Sequence, residues 1–253
     1  MAGLTTTPFS LSQLLREQVS HLRESCAAWF RPQQPEARGT LWDNTPWQEF
    51  WGEQYGLELK RWLLKPVFEK LDAEGKVGDV IVDIGSGAQP VTQFIQKRAG
   101  RKRICVDVAG DNRCAGDAQT VRLNVEKVGE PGSLSLRKAL LRACRYLEAS
   151  PAAGAPGADL MVCADLLNYV DFRKVLGGFS RYLKPGGRIV VVNLPMRGNQ
   201  SLFSEEGLKD NRLVGQFLEE QGFEIEQKDF PCRPKGETEE AGELIVLVAR
   251  KAA

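Results

Sequence analysis

From residue 79 onward, short runs rich in β-branched residues alternate with longer segments of helical periodicity. The β-rich runs are residues 79–84, 103–108, 120–123, 159–163 and 188–193, and the helical segments are residues 90–98, 133–149 and 171–183. A parallel pair of strands needs a crossover between them, and a helix usually makes it. The alternation therefore predicts an α/β fold with a doubly wound parallel sheet that is covered by helices on both faces.

The C-terminal part of the chain predicts a different end to the sheet. A helical segment at 204–222 precedes two β-rich runs, 223–230 and 243–250, which are joined by a polar turn rich in Pro, Gly and Glu. Two strands joined by a turn pair antiparallel. We therefore expect a seven-stranded, mostly parallel sheet with a C-terminal antiparallel hairpin.

The first 75 residues have helical periodicity and no β-rich run. Residues 11–30 place their apolar side chains on one helical face, and a second helix should begin at Pro46 and continue through residue 71. Interruptions are expected near Gly56 and Pro66, because glycine and proline both weaken a helix interior. We expect residues 1–75 to form an N-terminal helical cap and residues 76–253 to form the sheet domain.

Charge and hydropathy argue against two classes of partner. The formal net charge is +1, which gives no electrostatic reason to expect nucleic acid. No stretch approaches the roughly 20 apolar residues of a membrane span, and the N-terminus lacks the basic and apolar regions of a secretory signal. The sequence therefore favours a cytoplasmic protein that binds neither nucleic acid nor a membrane.

The six cysteines are not spaced as a zinc site. None stands in Cys-x-x-Cys spacing, and Cys105 and Cys163 lie within β-rich runs. We expect buried, reduced thiols at these two positions and no zinc.

The segment "DVIVDIGSGAQP", residues 79–90, turns on two glycines directly after the first predicted strand. Gly85 and Gly87 allow the backbone to approach a ligand closely. The third glycine of the dinucleotide fingerprint is replaced by Pro90, and no Gly-Lys-Ser/Thr follows as in a P-loop. The turn predicts a ligand site, without deciding which ligand it takes.

Five motifs in order identify a family resemblance. They are "VDIGSG", "ICVDVA", "LNVEK", "DLMVCADLLNYVD" and "LKPGGRIVVVN". Together they resemble the class I S-adenosylmethionine-dependent methyltransferases over about residues 75–250. The resemblance implies S-adenosylmethionine as the cofactor.

The resemblance implies a set of cofactor-binding residues. The turn Gly85-Ser86-Gly87 would let the backbone approach the amino-acid end and the ribose, and Asp83 would lie near the ammonium group. Asp107 would accept hydrogen bonds from the ribose hydroxyls.

Four further positions belong to the implied cofactor site. Asn124 and Val125 stand where the family usually has an acid that meets the adenine amine, and an amide can bind the same edge. Cys163 and Ala164 would offer backbone contacts beside the methionine portion. Asn124 is equally consistent with a turn residue.

The segment after the fourth strand implies candidates for catalysis. Asp165, Asn168 and Tyr169 are the polar groups nearest the expected reaction centre. Each has a structural alternative: Asn168 as a turn cap and Tyr169 as a packing residue, for example. The sole histidine, His21, lies in the N-terminal helix, so no histidine base is expected in the sheet domain.

Two other site types are disfavoured. The later acid-and-asparagine pair of the magnesium-dependent catechol type is missing, so we expect no metal. The segment "NLPM", which begins at Asn193, faintly resembles the Asn-Pro-Pro-Tyr signature of amino-group methyltransferases, but it follows the fifth strand instead of the fourth.

All five tryptophans lie between Trp29 and Trp62. We expect Trp47, Trp51 and Tyr55 to form an aromatic lid that binds the acceptor and excludes water. The alternative is that these rings only attach the helices to the sheet.

The sequence therefore favours methyl transfer to a small-molecule acceptor, without choosing between an O, N or C atom. The alternatives are a methyltransferase of RNA or protein, a non-catalytic S-adenosylmethionine-binding subunit, and a nicotinamide dehydrogenase. Pro90 disfavours the last.

Overall fold

The computed structural model describes residues 55–87, 89–108, 118–128, 134–145, 157–193, 204–229 and 244–252. The strands are β1 (Val80–Ile84), β2 (Lys102–Asp107), β3 (Ala118–Arg122), β4 (Ala158–Ala164), β5 (Leu183–Asn193), β6 (Phe223–Asp229) and β7 (Ile245–Lys251). The helices are α1 (Tyr55–Ala73), α2 (Leu134–Arg145), α3 (Phe172–Ser180) and α4 (Arg212–Glu220), with 3-10 turns at Val91–Phe94 and Val125–Lys127. The predicted helix at 11–30 and the first part of the second helix lie outside the described residues.

The strands form one sheet in the order β3-β2-β1-β4-β5-β7-β6. The first five strands in this order are parallel, and β7 runs antiparallel to both of its neighbours. The predicted fold class is confirmed, including the C-terminal hairpin. Strand order reverses beside β1, which has β2 on one side and β4 on the other, so that loops at the carboxyl ends of these strands can diverge.

Alternate residues of the central strands enter two separate cores. Val82 and Ile84 of β1 join the larger core, which includes side chains of α2, α3 and α4. Ile81 points the other way and joins the core that contains α1. Burial on both faces explains why these strands are apolar almost throughout.

Helix α1 covers the second face of the sheet. Leu64 and Phe68 are buried there with Ile81 and Leu160 of the sheet. The predicted interruption at Pro66 is wrong, because α1 is continuous across it. Pro66 lies on the exposed face of the helix, where water can satisfy the carbonyl that loses its backbone partner.

The helix predicted over 90–98 is wrong beyond its first turn. The chain forms a 3-10 turn at Val91–Phe94 and then becomes extended at Ile95, whose side chain is buried. The Arg101 guanidinium donates to the Gln96 carbonyl at 2.6 Å. Tertiary contacts therefore replace the backbone hydrogen bonds that a longer helix would make.

The two described cysteine thiols differ in their bonding. Cys163 is free and buried, as expected. Cys105 is disulfide-bonded, so the expectation of a reduced thiol is wrong there. Its partner cysteine is not among the residues whose side chains are described.

Within the described ranges, no helix combines the length and the apolar character that crossing a bilayer requires.

A core substitution tests whether α1 is an integral part of the sheet fold. Leu64 is fully buried, so Leu64→Ala should lower the free energy of unfolding by about 2–5 kcal/mol. The exposed neighbour Lys65 provides the control, since Lys65→Ala should change it by less than about 0.5 kcal/mol. Urea unfolding followed by far-UV circular dichroism measures both. An unchanged main transition in Leu64→Ala would mean that α1 unfolds separately from the sheet.

Candidate functional site

The glycine turn after β1 is held against the neighbouring strand β2. Gly85 and Gly87 have φ values of +65° and +56°, in the left-handed region that glycine tolerates best. The amide groups of Gly85 and Ser86 both donate to the Val106 carbonyl, at 2.8 and 3.1 Å. The turn is thus fixed by the strand that carries the next functional residue.

Asp107 is bonded directly to this turn. It ends β2, is half-buried, and its Oδ2 accepts a hydrogen bond of 2.8 Å from the Gly87 amide. Two residues that the sequence predicted as parts of one site therefore meet. A glycine turn beside a carboxylate is an arrangement that nucleoside-binding α/β sheets use for a ribose diol.

The two glycines have different spatial reasons for lacking a side chain. A Cβ added at Gly85 would lie 2.8 Å from a methyl carbon of Leu166, in the loop after β4. A Cβ added at Gly87 would meet nothing within 4 Å. A side chain at position 85 would therefore clash with Leu166, so packing within the protein explains this glycine. The space beside Gly87 is open.

Asp83 is a buried acid beneath the same turn. Only 2% of its surface is exposed, and its Oδ2 accepts hydrogen bonds from the Thr92 amide and the Thr92 hydroxyl, both at 2.9 Å. Burial raises the pKa of Asp83 to about 6, while Thr92 and the charge of Lys60 act in the opposite direction. The protein thus bears the cost of a desolvated carboxylate, which a cationic ligand group would offset.

Asp165 lies at the carboxyl end of β4 in an unusual backbone conformation. Its φ is +53°, and it is the sole non-glycine residue with positive φ in the part of the chain that the structure describes. Its amide donates to the Val192 carbonyl at 2.9 Å, and its Oδ2 lies 3.1 Å from Nζ of Lys60. Strained backbone of this kind clusters at functional sites.

Cys163 and Ala164 precede Asp165 at the end of β4, and both are buried. Burial and the charges of Asp83 and Asp165 raise the pKa of the Cys163 thiol, so it is not a thiolate at neutral pH. These residues contribute apolar packing and backbone at the sheet edge.

Asn124 and Val125 lie at the end of the loop after β3. The Asn124 side chain accepts a hydrogen bond from the Glu126 amide at 3.0 Å and caps the second 3-10 turn. Val125 is buried. Asn124 therefore makes the turn contact that was its structural alternative, and its contact with adenine stays a prediction.

Asn168 belongs to a buried amide network. Nδ2 of Asn193 donates to Oδ1 of Asn168 at 2.9 Å and to Oδ1 of Asn211 at 2.7 Å. Nδ2 of Asn211 donates to the Asn193 carbonyl. The network ties the loop after β4 to the end of β5 and the start of α4.

Tyr169 is buried in the larger core, with 5% of its surface exposed. This position favours the packing role over a direct contact with substrate. The predicted substrate residues Trp47 and Trp51 lie outside the described residues, and Tyr55 is the first residue of α1, with a side chain outside the described set.

Sequence reasoning missed Lys60, Thr92 and Leu166. Lys60 precedes the first strand in a helix assigned to the cap, so no motif signalled its contact with Asp165. Thr92 follows Asp83 by nine residues, and this spacing alone does not predict the hydrogen bonds between them. Among the described residues, no group of three or more His, Cys, Asp or Glu side chains is arranged to hold a metal ion.

Comparison with known proteins establishes the fold. By sequence, no family model and no curated protein matches the chain. By structure, the chain is similar to the CurJ carbon methyltransferase, with 15% identity and a TM-score of 0.56, over 85% of this chain and 57% of the CurJ chain.

A second solved structure covers the whole chain. It is 1,6-didemethyltoxoflavin-N1-methyltransferase of Burkholderia thailandensis with bound 1,6-didemethyltoxoflavin and S-adenosylhomocysteine. The identity is 14% and the TM-score 0.50, over 100% of this chain and 94% of that one. At such identities the likeness concerns the fold, and the chain has the class I fold of S-adenosylmethionine-dependent methyltransferases.

The buried carboxylate of Asp83 predicts a pH-dependent stability change. Its pKa is raised from 3.8 to about 6, so its favourable contribution is present below about pH 4 and lost as pH rises through 6. We expect Asp83→Asn to stabilise the protein by about 2 kcal/mol at pH 7.5, because the amide oxygen still accepts from Thr92 without a charge. About two thirds of that gain should vanish at pH 4.5.

Urea unfolding at both pH values measures this change. Glu220→Gln, at an exposed acid on α4, is the control and should be nearly silent at both. A destabilised Asp83→Asn variant at pH 7.5 would contradict the buried-charge account.

Proposed function

We propose that the protein is an S-adenosylmethionine-dependent methyltransferase with a small-molecule acceptor. The observation that carries the proposal is the bond between the glycine turn and Asp107 at the carboxyl edge of the sheet. The shared fold and the implied cofactor agree with it. The near-neutral net charge argues against RNA as the acceptor.

The described residues fit the parts of this cofactor. Asp107 would bind the ribose hydroxyls, and the open space beside Gly87 would admit the ligand close to the backbone. Asp83 would hold the ammonium group, directly or through a water. Asn124 and Val125 would line the adenine. Bound S-adenosylmethionine supplies a methyl group that is already activated on a sulfonium.

The chain's own task is then to align the acceptor and to exclude water. Of the three residues predicted for catalysis, Asp165 is best supported, because it is buried at the end of β4 and paired with Lys60. Its carboxylate would orient the acceptor, or take its proton if the acceptor must lose one. Asn168 would fix the position of this loop through Asn193, and Tyr169 would support it from the core.

The N-terminal segment would cover the acceptor. Helix α1 begins at the carboxyl edge of the sheet, since Lys60 reaches Asp165 and Arg61 lies over the Phe94 ring at 5.3 Å. The preceding residues, which include Trp47 and Trp51, would extend from this edge as a lid. The cytoplasmic location and the boundary at residue 75 remain predictions.

Removal of the Asp107 carboxylate tests the cofactor site. Asp107→Ala should weaken S-adenosylhomocysteine binding by about 1.5–3 kcal/mol, the usual worth of hydrogen bonds to a charged group. Asp229→Ala is the control, because Asp229 is an exposed acid at the carboxyl end of β6, about 24 Å along the same sheet. Isothermal titration calorimetry measures both. Equal affinity in a folded Asp107→Ala variant refutes this role, and no binding by the native protein refutes the proposed cofactor.

Alanine substitutions at two matched glycines distinguish the effect of filling the proposed ligand space from the effect of backbone strain. Gly87 and Gly186 both have positive φ, and a Cβ at either would meet nothing within 4 Å. Gly87→Ala and Gly186→Ala should each cost about 1–2 kcal/mol in stability. Only Gly87→Ala should also weaken S-adenosylhomocysteine binding, by about tenfold or more, because its new methyl group enters the proposed ligand space. Equal binding by both variants would place the ligand elsewhere.

A further inference from the structure

Lys60 brings a positive charge close to the acids Asp165 and Asp83. Its Nζ lies 3.1 Å from Oδ2 of Asp165, and the exposed fractions of the two side chains are 19% and 5%. The same charge lowers the pKa of Asp83 and opposes the rise in the pKa of Cys163. Lys60 therefore acts electrostatically on the ends of both β1 and β4.

Both partners of this ion pair are held by well-packed structure. Lys60 precedes Leu63 and Leu64, which anchor α1 in the core. Asp165 is fixed through its amide bond to the Val192 carbonyl and through its left-handed backbone. A pair held in this way loses less side-chain entropy on forming than two flexible surface side chains, and burial weakens its screening by salt.

The donor and the product of the proposed reaction differ by one charge. S-adenosylmethionine carries a sulfonium, an ammonium and a carboxylate, whereas S-adenosylhomocysteine has a neutral thioether in place of the sulfonium. A cation in the site disfavours the first ligand relative to the second, and an acid does the opposite. Charges near the sulfur therefore set the preference between donor and product.

We propose that Lys60 and Asp165 form a pair of opposing charges, each of which shifts the preference of the site between the cationic methyl donor and its neutral product. This inference rests on the proposed function and deepens it. Asp165 favours the donor, and Lys60 limits that preference. A unit charge near the sulfur, in a partly buried site, changes a binding ratio by about tenfold.

The test is the ratio of the two dissociation constants, measured by calorimetry for S-adenosylmethionine and S-adenosylhomocysteine. Any contact between Lys60 and the ligand carboxylate is common to both ligands and cancels in the ratio. Lys60→Met should shift the ratio toward the donor by about tenfold. Asp165→Asn should shift it toward the product by a similar factor, and asparagine also tolerates the left-handed backbone.

Two further variants complete the cycle. Lys60→Met/Asp165→Asn restores the net charge and should return the ratio to within about threefold of the native value, whereas Lys60→Arg keeps the charge and should leave the ratio unchanged. The double variant and Asp165→Asn also give a result if Lys60→Met alone does not fold. The inference is overturned if each single variant weakens the binding of both ligands equally and leaves the ratio of their dissociation constants unchanged. A native protein that binds neither ligand overturns the proposed function instead.

Discussion

β1 pairs in parallel with β2 on one side and with β4 on the other, so the carboxyl ends of these three strands lie at one edge of the sheet. The Gly87 amide joins the loop after β1 to Asp107 of β2, and the left-handed Asp165 begins the loop after β4. In open α/β sheets, a reversal of strand order opens a crevice at this edge. The residues of the candidate site are distant in sequence, and this geometry brings them together.

The same edge concentrates charge in a poorly solvated place. Asp83, buried beneath the turn, retains its two bonds from Thr92 but still has a raised pKa. An apolar residue there would cost less in stability, and the acid agrees with the proposed role toward a cationic ligand group. Lys60 offsets part of this charge from α1, a helix that also forms much of the second core. Helix α1 thus contributes both to the second core and, through Lys60, to the candidate site.

The sequence predicted the sheet well because its signals are local. Alternating β-rich and helical runs gave the strand set, and the glycines with Asp83 and Asp107 stood where strands end. Contacts between distant elements were not predictable in this way. The pairing of Lys60 with Asp165 depends on how α1 lies across the sheet, and no periodicity encodes that.

Tertiary contacts also overrode local signals. Pro66 failed to break α1 because it faces solvent while Leu64 and Val67 on the other face are anchored in the core. The turn after Pro90 stayed short because Ile95 is buried in an extended conformation and the Arg101 guanidinium occupies the Gln96 carbonyl. Such outcomes depend on packing in three dimensions, which propensity does not describe.

A crystal structure with bound S-adenosylhomocysteine tests the central claim most directly. The account predicts density across the glycine turn at the carboxyl edge, with both ribose hydroxyls within hydrogen-bond distance of Asp107 and the ammonium group near Asp83. The empty space left beside the bound ligand would also limit the size of the acceptor. Density at another part of the molecule, or a ligand whose ribose does not contact Asp107, would contradict the account.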